Sequence, residues 1–230
     1  GSKPASSAAY APWNATVVRV RFARRKFLAG GVGIAAAASG SGCSAPAPPP
    51  EPPPRRPKIL LRSGWQTENI GDIAHTPGVL RLLQIHVPEA DTILWSNALN
   101  RGVREMLVRH FPNLGFVSGN TDAEGAPDNA TLDAAFREAD LLLHGSGPSV
   151  VARVHLDAWR KHTGKPYGIF GVTVALREEA ASPAVDPLTR PLLEGAAFVF
   201  TRETASLANL ERTGFKRARF APDGTFSLKL

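Results

Sequence analysis

Cysteine occurs once in this 230-residue chain, at position 43, and methionine once. A single cysteine rules out an intrachain disulfide and any cysteine-based metal cluster. No His/Asp/Glu spacing reads as a metal site either. Also missing are a Gly-x-Ser-x-Gly elbow, a phosphate loop ending in Gly-Lys-Ser/Thr, and a Gly-x-Gly-x-x-Gly after the first strand. These absences argue against a serine hydrolase, a nucleotide hydrolase and a typical dinucleotide oxidoreductase. Acidic residues are almost missing from one region only. Residues 1–58 hold nine Lys/Arg and one acid, Glu51, whereas residues 59–230 hold eighteen and nineteen. The formal charge of +7 therefore belongs to the leader, and the body is near neutral. A nucleic-acid binder carries its charge as a patch or stripe on the folded domain, so no nucleic-acid partner is expected.

The leader reads as an export signal. Phe22-Ala-Arg-Arg-Lys-Phe-Leu28 holds a twin-arginine pair followed by Phe-Leu. An uncharged Gly/Ala-rich run to about Ser41 comes next, the pattern read by the bacterial twin-arginine route. The run is too short and too rich in Gly and Ala to be a good membrane span. Cys43 follows Ser41-Gly42 where a lipoprotein cleavage site would place it, although Gly40 stands where Leu is usual. Lipidation of Cys43, tethering the protein to a membrane, is one expectation; an incidental thiol is the other. Several acyl chains on one cysteine would anchor the domain, whereas one binds only marginally. Residues 44–57 contain eight prolines and read as a semi-rigid polyproline spacer. The expected organisation is an export signal over 1–43, a linker over 44–57 and one domain over 58–230, in the periplasm or cell envelope.

In the body, β-rich apolar runs alternate with helical patterns. Strands are predicted at Lys58–Leu61, Thr92–Trp95, Gly115–Val117, Leu141–His144, Tyr167–Val172, Ala197–Thr201 and Ala218–Ala221. Helices are predicted at Ile73–Ile85, Arg101–His110, Thr131–Ala139, Val150–Thr163, Pro187–Glu194 and Glu203–Thr213. The central strands are continuous apolar runs, which suits strands buried on both faces. Alternation at this spacing implies right-handed crossovers and a parallel sheet, a Rossmann-like α/β fold with flanking helices. Asp72 and Thr201 are the expected caps of the helices they precede.

Four segments follow strand ends and should share one sheet edge, where such folds bind ligands. In Trp65-Gln-Thr-Glu-Asn-Ile-Gly-Asp72, Gly71 would let the backbone approach a ligand, and the helix N-terminus behind it favours anions. Asp72 suits a sugar hydroxyl or base work, and an ordinary capping loop is the alternative. In His144-Gly-Ser-Gly-Pro-Ser149, amides around Gly145, Ser146, Gly147 and Ser149 could cradle a phosphate or carboxylate. His144 could titrate near neutral pH there; a tight structural turn explains the same residues. In Thr201-Arg-Glu-Thr-Ala-Ser206, Arg202 suits an anionic group through its planar fork, or else pairs with Glu203 in solvent. Ala221-Pro-Asp-Gly-Thr-Phe226 is a strong turn signal. His75 sits in a helical turn made irregular by Pro77. His86, His110, His155 and His162 read as surface residues.

In order and spacing, Asn69/Gly71/Asp72, Gly145/Ser146/Gly147, Arg202/Glu203/Ser206 and Pro222/Asp223 resemble the polysaccharide pyruvyl transferase family, over residues 58–228. The family often has three glycines where this chain has Gly-Ser-Gly. The resemblance implies two Rossmann-like domains facing a cleft, similar to the GT-B glycosyltransferases, of which this chain would be the N-terminal half. It implies transfer of an enolpyruvyl-derived group from phosphoenolpyruvate to sugar hydroxyls of a polysaccharide, with no cofactor. Asp72 and His144 are then the candidate catalytic residues. Asn69, Gly71, Gly145, Ser146, Gly147, Ser149, Arg202 and Glu203 are the candidate substrate contacts. Because phosphoenolpyruvate is a cytoplasmic metabolite, an exported protein would use another donor or reuse the fold. A tethered glycan-binding module without catalysis, or an inactive fragment, is the competing expectation.

Overall fold

The computed structural model describes residues 55–177 and 184–228. The twin-arginine segment, Cys43 and the linker up to residue 54 lie outside the described residues. Seven strands form one sheet in the order β3-β2-β1-β4-β5-β8-β9. They are β1 (Lys58–Arg62), β2 (Asp91–Trp95), β3 (Gly115–Val117), β4 (Leu141–His144), β5 (Tyr167–Val172), β8 (Phe198–Thr201) and β9 (Ala218–Phe220). Every neighbouring pair is parallel. The fold is thus the Rossmann-like α/β sheet that the sequence predicts. Strand order reverses between β1 and β4, which places the switch point there. A separate two-stranded antiparallel hairpin, β6 (Leu176–Arg177) and β7 (Ala184–Val185), was not anticipated. Strands of two residues carry no periodicity to read.

The helices are α1 (Ile70–His86), α2 (Val103–His110), α3 (Ala130–Glu138), α4 (Arg153–Thr163), α5 (Arg190–Gly195) and α6 (Thr204–Arg212). Successive strand residues point to opposite faces, so each apolar run feeds two cores. Leu60, Leu142, Ile169 and Val199 pack with Phe136 of α3, Trp159 of α4, Leu193 of α5 and Leu210 of α6. Ile59, Leu61, Leu143, Phe170 and Phe200 pack with Val79, Leu80 and Leu83 of α1 and Leu107 of α2. Burying each such side chain contributes about 1.5–3 kcal/mol before chain entropy is counted.

Two cap assignments are corrected. Asn69, not Asp72, caps α1: its Oδ1 accepts from Gly71 N at 2.9 Å, so the helix starts three residues earlier than predicted. Glu203, not Thr201, stands at the N-cap of α6 and makes no side-chain cap bond. Thr201 is the last residue of β8 and fully buried. Helix α1 also runs straight through Pro77. The reason lies at the other end of the chain, in a 3-10 helix over Gly224–Ser227. A Cβ on Gly78 would lie 2.3 Å from Gly224 O, and Ser227 Oγ donates to Gly78 O at 2.7 Å. The Pro-Gly pair thins α1 where the C-terminal segment crosses it, and the preceding turn of α1 meets Asp223.

Candidate functional site

Because all seven strands run the same way, their carboxyl ends form one edge. Near the β8 and β9 end of that edge, acids and cations line up. Asp72 sits in the first turn of α1 and its Oδ2 accepts from Gln66 Nε2 at 2.5 Å. His75 lies one turn further on, the spacing that brings side chains together on a helix. His75 Nδ1 is 3.8 Å from Asp72 Oδ1, and His75 Nε2 is 3.3 Å from Asp223 Oδ2. The other side of Asp223 faces Arg202, with Nη1 3.5 Å from the same Oδ2. Arg202 Nε then donates to Thr173 Oγ1 at 2.8 Å and lies 3.4 Å from Glu203 Oε2. Ser206 Oγ donates to Glu203 Oε1 and accepts from Val174 N at 2.7 Å, which fixes the far end.

The line is graded in exposure. The side chains of His75 and Asp223 are 8% and 11% exposed, Asp72 is 18% and Arg202 28%. Burial alone would raise Asp223, but hydrogen bonds from His75 and Thr225 N hold its carboxyl below the ordinary range. With Nε2–H donated to Asp223, His75 Nδ1 has no hydrogen-bond partner and faces the Asp72 carboxyl. An imidazole lone pair and a carboxylate repel unless they share a proton.

The β4 loop is different, and here the sequence expectations are corrected. His144 is completely buried beneath Trp65, ring centres 5.0 Å apart. Its Nδ1 donates to Gly145 O at 2.7 Å and its Nε2 accepts from Ala152 N at 3.3 Å. Burial pushes it down to about 3, so it is neutral at physiological pH with both nitrogens committed. That geometry makes it a packing residue, not a proton carrier. Two of the amides expected to cradle an anion are also committed. Gly145 N donates to Arg62 O at 3.0 Å and Gly147 N to Gly171 O at 3.1 Å. Ser146 is fully buried and its Oγ accepts from Gly224 N at 3.2 Å. The glycines serve close approach instead: a Cβ on Gly145 would lie 2.9 Å from Ser63 Oγ. Ser149 is exposed and lies at the rim of a neighbouring cavity. Asn69 and Gly71 are joined to each other by the α1 cap.

His75 and Thr173 had no place in the sequence-based site, and Asp223 entered it only as a turn residue and motif position. The signal for His75 was its i+3 spacing from Asp72; for Asp223, its place after the last strand. A second missed cluster surrounds Arg62 at the end of β1, only 1% exposed. Its Nε donates to His155 Nδ1 at 2.9 Å, and Nη1 to Trp95 O at 3.0 Å. Its guanidinium lies 5.2 Å from the Trp65 ring centre and 5.1 Å from that of Trp95. Burial lowers Arg62 to about 10 and His155 to about 4. His155 is thus half-buried against Trp95, not a surface residue. Together these groups fix the root of the loop that carries Gln66 to Asp72.

No curated protein matches the chain. Among solved structures it is similar to a UDP-N-acetylglucosamine 2-epimerase, 15% identical over 71% of this chain and 47% of that one, with a TM-score of 0.45. A putative UDP-N-acetylglucosamine 2-epimerase from Listeria monocytogenes is 12% identical over 71% of this chain and 44% of its own, TM-score 0.44. A UGT transferase from Siraitia grosvenorii in complex with UDP is 12% identical over 72% and 50%, TM-score 0.39. The chain thus spans half or less of each of these proteins. The model of the polysaccharide pyruvyl transferase family matches residues 69–229, from the α1 cap through the loop that carries Asp223, and the chain belongs to that family.

Proposed function

We propose that this domain takes part in pyruvyl transfer, from phosphoenolpyruvate to two hydroxyls of one sugar in a cell-surface polysaccharide. The observation that carries the reading is the line Asp72–His75–Asp223–Arg202, an acid–imidazole–acid cluster ending in a cation. The reaction needs those parts. One sugar hydroxyl adds to C2 of the enol while C3 gains a proton. The second hydroxyl then displaces phosphate from C2, leaving a ketal. Of the two hydroxyl protons, one ends on C3 and one on phosphate. A base is needed at the hydroxyl, an acid at C3 and positive charge at the leaving group.

Asp72, the most exposed member of the acid–imidazole–acid cluster, is the base in this reading. His75 stores and returns the proton, and Asp223 orients the imidazole through Nε2. Arg202, held by Thr173 and Asp223, meets the anionic donor, with Glu203 setting its position. No cofactor is called for. A second domain facing this edge would supply the rest of the donor site. The twin-arginine leader and Cys43 support export and tethering at the cell envelope, where another enolpyruvyl donor would take the place of cytoplasmic phosphoenolpyruvate in the same reaction.

The test is donor-dependent mass gain on a polysaccharide acceptor, with phosphate release, using the full-length natural protein. A pyruvyl ketal formed only when phosphoenolpyruvate or another enolpyruvyl donor is present supports the reading. Glycan retained without donor, and no ketal under any donor, would sink it in favour of a glycan-binding module.

A further inference from the structure

On the far side of Arg202 lies a cavity of about 270 Å³ at the carboxyl ends of β4 and β5. Val150, Val174 and Val185, all buried, lie among its lining residues. Ser149, Thr173 and Thr189 line it too, with Arg153, Arg177 and Asp186. Thr189 does not use its side chain to cap α5. Arg153 Nη1 lies 2.7 Å and Arg177 Nη2 3.3 Å from the same atom, Asp186 Oδ2. Two guanidinium groups share one carboxylate, so the described lining residues leave one net positive charge. Stability alone is a poor reason for this grouping. The side chains are 40%, 59% and 25% exposed, and ion pairs at such exposure contribute little to folding.

We infer that this cavity is a subsite for a carboxylate-bearing sugar ring of the acceptor, next to the sugar that is modified. The inference rests on the proposed glycan-modifying role and adds a substrate class to it. The volume is below the roughly 300–1,000 Å³ of pockets for drug-sized ligands, which fits one ring and not an oligosaccharide. Apolar walls suit the C–H face of a pyranose, and Ser149 and Thr189 suit its polar rim. The guanidinium forks match a carboxylate in shape. One spare positive charge matches a uronate better than a dianionic phosphate. Thr173 joins the cavity to the reaction line, since its Oγ1 accepts from Arg202.

The experiment is ligand-observed NMR titration of the full chain with methyl β-glucuronide, methyl β-glucoside, glucose 6-phosphate and inorganic phosphate. Glucuronide binding at least tenfold tighter than glucoside is expected, with Arg177→Gln and Arg153→Gln each removing the preference. Arg177 is the more exposed of the two, so Arg177→Gln should keep the wild-type melting temperature. Equal binding of glucuronide and glucoside would overturn the inference. So would tighter binding of either phosphate compound, or a preference that survives Arg177→Gln. Asp72→Asn should leave glucuronide binding intact while removing transfer. Failure of transfer with this selectivity kept would therefore fault the proposed reaction and not the subsite.

Discussion

Two stretches of the same sheet edge invite comparison. The loop after β4 looks from its glycines like an anion cradle, yet it is closed: His144 and Ser146 are fully buried, and the Gly145 and Gly147 amides bond to other backbone. The loop after β1 and the ends of β8 and β9 look ordinary, yet they hold a graded line of charge from Asp72 to Arg202. The difference is where hydrogen-bonding capacity goes. In the closed stretch it is spent within the protein. In the open stretch one imidazole nitrogen, His75 Nδ1, has no partner among the described residues. An orphan nitrogen in a cluster of acids points to chemistry more directly than a glycine pattern does.

The comparison breaks first, and by the largest margin, if the open stretch is neutralised. Asp72→Asn keeps the bond from Gln66 but removes the base. Transfer should fall by about 10²–10⁴, the usual contribution of general acid–base groups. His75→Gln should fall as far, with urea unfolding unchanged for Asp72→Asn. Wild-type rates in both variants would return the chemistry to the β4 loop.

The closed stretch should answer in stability. Gly171 has φ +67, and a Cβ there would lie 2.4 Å from Ser146 Oγ. Gly171→Ala adds backbone strain and overpacking together, and should cost about 3 kcal/mol in urea unfolding. A cost under about 0.5 kcal/mol, the surface value, would mean the loop is not sealed.

Acid should find the same weakness. His144 and His155 titrate lower folded than their ordinary 6.5, near 3 and 4, both chiefly through burial. Below pH 6.5 the unfolded chain takes up these protons and the folded chain does not. Their contribution is therefore complete above pH 6.5 and is lost progressively as pH falls towards 4 and then 3. Between pH 6.5 and 4 a loss on the order of 3 kcal/mol is expected from His144, with a smaller one from the partly exposed His155. His155→Gln, which can still accept from Arg62, should flatten part of that slope. An unchanged slope would show that His155 is not the titrating group.

The seven parallel strands were legible because buried runs such as Ile59-Leu60-Leu61 and Leu141-Leu142-Leu143 have no other stable use. The β6–β7 hairpin was illegible because two-residue strands are set by tertiary contacts. Asp72 was legible as a polar residue after a strand. His75 was not, since Pro77 suggested a broken turn, and only the Gly78–Gly224 crossing explains why the helix continues. Arg62 was hidden by its charge: a strand-end arginine normally reads as solvent-exposed, and nothing local announces two tryptophans and a histidine around it. The glycines at 145 and 147 misled because close packing and anion binding ask for the same residue.

Ser146 gives the smallest effect and the sharpest division between the two stretches. Its Oγ accepts from Gly224 N, next to Asp223, so it touches the reaction line only through one backbone bond. Ser146→Ala leaves that buried amide unsatisfied, which costs about 1 kcal/mol. If all of that strain reached the barrier, transfer would fall by less than tenfold, since tenfold is about 1.4 kcal/mol. The expected result is a small stability loss, a small drop in kcat and an unchanged KM for the donor. A rise in donor KM with kcat kept would mean the Ser146 hydroxyl binds donor after all. In that case the glycine loop opens during turnover, and the contrast between a closed and an open stretch holds only for the unliganded protein.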